Sequence, residues 1–295
     1  MGRLLFQGAA TALVTPFRDG GVDVPALDRM VERQLDAGIQ ALFPCGTTGE
    51  PATLSADEWA LVIRRTVEIV HGRVPVIAGT GGNDTRDVLA RAERARDLGA
   101  DAQLCVTPYY NKTTQKGLLA HYRAITAGSD LPVLVYSVPG RTGMSIAPET
   151  CAALAEDDRI IGLKEAGGDA GRAADILALC GGRLPVYCGS DEITVPMLAI
   201  GAAGVVSVLS NIVPGQVVEM TRRLAGGDVR GAAALQLRYQ PLTRLLFRQV
   251  SPIPVKAALG AMGLCENSLR LPLTALEGDE LLPLIAELKR LEVIQ

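Results

Sequence analysis

Eight short apolar runs, each followed by a longer amphipathic stretch, recur along the first three quarters of the chain, at residues 9–14, 41–44, 74–78, 102–106, 132–136, 160–164, 184–188 and 204–208. Strand-length and helix-length segments alternating at a spacing of roughly 25 to 30 residues are the signature of βα units. Eight such units in about 225 residues match the size of a (β/α)8 TIM barrel. A doubly wound sheet is the competing architecture. Beyond residue 229 the alternation stops, and 232–247, 254–262 and 276–291 all read as helix. The chain is therefore expected to divide into a barrel at residues 1–228 and a C-terminal helical domain at 229–295.

Helix boundaries support this reading. Ser55 followed by Glu58 forms a capping box, Asp84 or Thr85 opens the next helix, Pro148 fits a first turn, and Asp169 precedes another helical run. Gly99, Gly128 and Gly181 stand where left-handed residues close helices. At 295 residues, with 48% hydrophobic and 21% charged side chains, the chain can bury a large core.

Composition removes several function classes. A net charge of -3, no Lys/Arg-rich block and 4% aromatics exclude a nucleic-acid footprint and leave few stacking platforms. Residues 193–218 form a long uncharged stretch, but Pro196, Gly201, Gly204, Ser207, Ser210, Asn211, Pro214 and Gly215 break it into pieces of helix or strand length, so no membrane span is expected. Six cysteines lie scattered without a C-x-x-C pair, which fits reduced thiols of a cytoplasmic protein better than a disulfide framework. Only His71 and His121 occur, far apart, and no metal site is expected. The first seven residues are too short an apolar stretch for a signal peptide.

In such a barrel, chemistry belongs to the C-terminal ends of the strands. The sixth run, Ile160-Ile161-Gly162-Leu163-Lys164, ends on one of only five lysines in a chain that draws most of its 29 basic residues from arginine. A buried ammonium is costly, which favours the free and nucleophilic amine. The bland alternative is a lysine that leaves the strand end for solvent. Glu165, its neighbour, points to the opposite face and is a poor partner for it. Tyr136 ends the fifth run, so a phenol and an amine are expected side by side on adjacent strands. Thr47 and Thr48 sit in Gly46-Thr47-Thr48-Gly49-Glu50 and can offer hydroxyls and N–H groups to an anion, although such a loop is equally a tight turn. The Gly79 loop lacks a full phosphate-binding pattern and reads as a turn. Arg141, in Gly140-Arg141-Thr142-Gly143, is a fixed cation suited to a carboxylate, or else a solvated loop residue.

Together these motifs resemble the dihydrodipicolinate synthase and N-acetylneuraminate lyase superfamily, on its dihydrodipicolinate synthase side. The resemblance runs from Thr15-Pro16-Phe17 through the Gly46 motif, Thr107-Pro108-Tyr109-Tyr110-Asn111, the loop at Arg141, Leu163-Lys164-Glu165 and Gly189-Ser190-Asp191 to Pro252-Ile253-Pro254-Val255-Lys256. It implies condensation of pyruvate with aspartate semialdehyde by a class I mechanism, with a covalent imine on Lys164 and neither metal nor organic cofactor. Carried over residue by residue, Tyr136, Thr47 and Tyr110 form a proton relay and Thr48 holds the pyruvate carboxylate. Arg141 takes the carboxylate of the second substrate, and Gly189 and Val206 line the pocket. Tyr110 would reach a neighbouring subunit's site, implying a homodimer or homotetramer. Lys256, the rival lysine, is expected to serve packing or an ion pair. Residues 51–59 contain no histidine, a departure that implies weak or absent feedback inhibition by lysine. Another pyruvate-dependent aldolase of the superfamily, or a non-catalytic barrel that senses a small carboxylate, are the competing readings.

Overall fold

The structure, a computed structural model, describes residues 4–295. Eight parallel strands form one sheet: β1 (Gly8–Ala12), β2 (Ala41–Phe43), β3 (Ile77–Gly79), β4 (Ala102–Val106), β5 (Val133–Ser137), β6 (Ile160–Glu165), β7 (Val186–Cys188) and β8 (Gly204–Ser207). From β3 to β8 each strand pairs with the next in sequence, β8 pairs with β1 and β1 with β2. A bridge between Leu42 and Val76 joins β2 to the approach of β3 and closes the ring. This is the (β/α)8 barrel expected from the spacing. Because helices cover the outside and side chains fill the inside, nearly every strand residue is buried, which is why the strands read as continuous apolar runs rather than alternating ones. Inside, Phe6 stacks on Tyr187 with ring centroids 4.3 Å apart and meets Phe43 edge-on.

The expected caps form. Ser55 and Glu58 complete a reciprocal capping box at helix Ala56–Val70. Asp84 and Asp169 cap Thr85–Asp97 and Ala170–Cys180 through their carboxylates. Gly99 and Gly181 adopt positive φ just past their helices. Gly128 does not: it is the last residue of helix Gln115–Gly128, and its hydrogen faces Leu89, where a Cβ would come within 2.8 Å of a methyl carbon. Close packing against Leu89, not a left-handed turn, favours a small residue there.

One element is absent from the sequence reading. Phe17–Arg18 and Gly21–Val22 form a two-residue-strand hairpin across Asp19 and Gly20, both at positive φ. Asp-Gly is the turn signal that such a hairpin uses. Residues 193–218 resolve into helix Thr194–Ala199, strand β8 and helix Pro214–Ala225, and among the described residues no helix is long and apolar enough to cross a membrane. All six cysteines are free and buried.

Past the barrel, helices Val229–Leu246, Ile253–Ala261 and Leu282–Arg290 replace the three expected ones with shifted ends. They are tied to the barrel by specific bonds. Gln236 donates to the backbone oxygen of Asp191 and accepts from the N–H of Val195. The connection at residues 247–251 then passes over the C-terminal mouth of the barrel, where it meets the site.

Candidate active site

β5 and β6 pair in register so that Tyr136 lies beside Lys164. The ammonium nitrogen Nζ sits 4.3 Å from the centroid of the tyrosine ring, and both side chains are about 95% buried at 5% and 6% exposure. Their environment is a cavity of about 870 Å³ at the strand ends, walled by Thr47, Thr48, Gly140, Arg141, Gly189 and Asp191 as well as this pair. A second cavity of about 450 Å³ shares Thr47, Tyr136 and Arg141 and extends toward Tyr109 and Gly79.

The loop after β2 delivers the two threonines. Thr47–Gly49 is a single 3-10 turn in which the Gly49 N–H donates to Gly46 O at 2.8 Å and the Glu50 N–H to Thr47 O at 3.2 Å. It is bracketed by two non-glycine residues in the left-handed region, Cys45 (φ +55°) and Glu50 (φ +53°). A Cβ at Gly79 would lie 1.9 Å from the Cys45 carbonyl oxygen, so the end of β3 supports this loop backbone to backbone. That contact accounts for the Gly79 turn without a phosphate.

Arg141 lies in the short helix Pro139–Thr142 after β5, and its Nη2 donates to Ser251 O at 2.8 Å. The Thr107 hydroxyl donates to that of Thr142 at 3.0 Å, pinning the same loop to β4's extension. The guanidinium is thus tethered at the cavity wall, although the residue as a whole is exposed.

Glu165 turns away from Lys164 as the pleat requires. Its Oε1 accepts from the Gly167 N–H at 2.8 Å, and its other oxygen lies 3.8 Å from Nε of Arg172. Burial pushes its carboxyl pKa up, with the Gly167 N–H and Arg172 opposing. Lys256 is fully buried away from the cavity and lies 2.5 Å from Oε1 of Glu50, as expected of an ion pair. Burial draws its ammonium below its usual range, and the Glu50 carboxylate opposes that pull.

Two expected site residues stand apart from this cluster within the single chain. Tyr110 is 94% exposed at positive φ, beyond the cavity wall. Val206 is buried within β8, and Val208 rather than Val206 lines the cavity.

Three other contributors, Asp191, Val250 and Ser251, have no role assigned from the sequence. Asp191 is buried with its Oδ2 accepting from the N–H groups of Val208 at 2.8 Å and Leu209 at 3.0 Å. Burial pushes its carboxyl pKa up, while the Ser207 hydroxyl, those two N–H groups and the charge of Lys164 act in the other direction. It fixes the end of β8 beside the lysine. Val250 and Ser251, from the helical appendage, line both cavities. The only signal for them was the Ser251-Pro252-Ile253-Pro254 run.

Gly189 makes a sharp prediction. A Cβ there would sit 3.1 Å from Cε of Lys164 and 2.7 Å from Cβ of Ala166. Displacing the amine by a fraction of an ångström to one ångström can cost on the order of 10²-fold in rate. Gly189→Ala is therefore expected to lower kcat/KM by about that factor and, because the clash with Ala166 Cβ has to be relieved, to cost about 1–3 kcal/mol of stability as well, as steady-state kinetics with a parallel melt will check.

The sequence model of the Dihydrodipicolinate synthetase family matches residues 5–291. The chain belongs to that family. Among curated family members, the 4-hydroxy-tetrahydrodipicolinate synthase of Geobacter metallireducens is 47% identical over 290 residues, covering 98% of this chain and all of the relative. Among solved structures, dihydrodipicolinate synthase from Thermotoga maritima superposes with a TM-score of 0.97 at 41% identity, over 98% of this chain and 100% of that one. The Acinetobacter baumannii dihydrodipicolinate synthase in complex with pyruvate gives a TM-score of 0.96 at 42% identity, over 98% of this chain and 99% of that one. The family match thus covers the barrel and the helices whose connection walls the cavity.

Proposed function

We propose that this chain is a lyase that condenses pyruvate with L-aspartate 4-semialdehyde to 4-hydroxy-tetrahydrodipicolinate, a step of lysine and diaminopimelate biosynthesis. The observation that carries the proposal is the buried pairing of Lys164 with Tyr136 in a cavity that also presents Arg141. The names of the family members and the pyruvate complex of one of them support it.

The free amine of Lys164 adds to the carbonyl carbon of pyruvate, and the carbinolamine loses water to give a protonated imine. No organic or metal cofactor is called on, because the imine is itself the electron sink. Loss of a methyl proton gives the enamine. Its carbon attacks the aldehyde of the second substrate, whose oxygen takes up a proton. The amino group of that substrate then adds to the imine carbon, closes the ring and expels Lys164 as the amine. Tyr136, in contact with Lys164, moves the protons of carbinolamine formation and breakdown, with the hydroxyls of Thr47 and Tyr110 completing the relay. Tyr110 enters the site of a second copy in a homodimer or homotetramer, a reading motivated by its exposed side chain. Thr48 and its turn hold the pyruvate carboxylate, Gly189 leaves room for the lysine, and Gly189 with Val208, in place of the expected Val206, lines the pocket. The reaction is assigned to the cytoplasm, where six free thiols persist.

Arg141 gives the second substrate its carboxylate site. A charge-assisted bond of this kind contributes about 1.5–3 kcal/mol, so Arg141→Ala is expected to raise KM for aspartate semialdehyde by about 10- to 100-fold and to leave KM for pyruvate within about twofold. Initial rates with each substrate varied in turn will read this directly. The proposal as a whole is tested by turnover of pyruvate with aspartate semialdehyde against cleavage of 2-keto-3-deoxy sugar acids and N-acetylneuraminate. Activity confined to the sugar acids would replace it with a sugar-acid lyase.

A further inference from the structure

The turn bearing Thr47 and Thr48 is held from two sides, and the second side is a buried ion pair. On the barrel side, the Thr15 hydroxyl donates to Gly49 O at 2.8 Å, and a Cβ on Gly49 would meet Leu13 O and Thr15 Oγ1 at 3.2 Å each. On the other side stands Glu50, the residue that ends the turn. Its carboxylate is 2% exposed and the Lys256 side chain 0%, with 2.5 Å between Oε1 and Nζ. Lys256 also donates to Ser268 O at 2.7 Å and lies 3.9 Å over the ring of Phe17, while Glu50 Oε2 accepts from the Arg270 N–H at 3.3 Å. The ammonium thus has a carboxylate, a carbonyl and an aromatic face, and it has no route to water.

A buried ion pair is a poor source of net stability, since an apolar pair of similar volume often does as well or better. What it supplies well is a fixed distance with one allowed partner. Left-handed conformations at Cys45 and Glu50 persist only where the surroundings over-determine them. The strut ends on the residue that needs such support. We propose that Glu50 and Lys256 are positioning residues that clamp the turn of Thr47 and Thr48 to helix Ile253–Ala261 and thereby set the site for the pyruvate carboxylate.

This inference rests on the reading of Lys164 as the pyruvate-binding amine and adds to it two residues that touch neither substrate. The attachment of Arg141 to Ser251 O is separate from the strut, so the second-substrate site serves as an internal control.

The test is the double variant Glu50→Leu/Lys256→Met, which replaces the pair by apolar side chains, with Glu50→Gln/Lys256→Met as a second variant that leaves no unpaired buried charge should the first not fold. Three quantities are measured on each: the pyruvate concentration giving half-maximal borohydride labelling of Lys164, KM for aspartate semialdehyde, and the thermal unfolding midpoint. The expected result is a rise of about tenfold or more in the pyruvate half-saturation, with KM for the second substrate within about twofold and unfolding near wild type. A folded variant with wild-type pyruvate half-saturation overturns the proposal, because a pair acting only in packing would move the melt and not the pyruvate response. Failure of the wild-type protein to be labelled at all would instead overturn the functional reading, before any variant is made.

Discussion

Lys164→Ala is expected to abolish turnover, with kcat falling by roughly 10⁵-fold or more, which corresponds to about 7 kcal/mol of lost transition-state stabilisation. Among the described residues no other amine lines the cavity in which Lys164 stands: Lys256, the other buried lysine, is locked against Glu50 and Ser268 O. Lys164→Arg is expected to be as inactive, because a guanidinium keeps the charge but does not form the imine. Both variants should keep the barrel, since Lys164 is part of a cavity wall rather than of the packed strands' apolar core. Steady-state assays with circular dichroism as the control for folding will check this. A variant retaining a tenth of wild-type activity would require a different nucleophile.

Tyr136→Phe carries the second large effect. Phenylalanine keeps the ring that lies 4.3 Å from the lysine nitrogen and removes only the hydroxyl. General acid–base groups contribute typically 10²- to 10⁴-fold, so kcat is expected to fall by about that range, or about 3–5 kcal/mol, with pyruvate still forming the imine more slowly. Pre-steady-state labelling separates the two steps. An unchanged kcat would mean that protons travel by another route.

Much of this site is legible in the sequence because the barrel makes its chemistry local along the chain. Strand ends fall at predictable places, so Tyr136 at the end of one run and Lys164 at the end of the next had to be neighbours once the strands paired consecutively. The boundaries moved where backbone chemistry overrode apolarity. Pro132 has no N–H for the ladder, so β5 starts at Val133, and β3 begins at Ile77 after only a bridge at Val76. The hairpin at Phe17 was missed because two-residue strands leave no periodic pattern, although Asp19-Gly20 announced its turn. What the sequence could not supply was contact across long separations. Ser251 against Arg141 and Lys256 against Glu50 join segments that only the folded appendage brings together. Asp191 was visible in its motif, but its bonds to the end of β8 depend on a turn whose geometry has no sequence signature. Tyr110 is the reverse case: its role was implied by resemblance, and within one chain it faces outward.

The covalent intermediate on Lys164 is what distinguishes this mechanism from any other. Protein incubated with pyruvate and reduced with borohydride, then digested and analysed by mass, is predicted to carry one modification per chain, on the peptide containing Lys164, with the added mass of pyruvic acid less one oxygen. Pyruvate-dependent modification elsewhere, or none on a protein that still consumes aspartate semialdehyde, would contradict it.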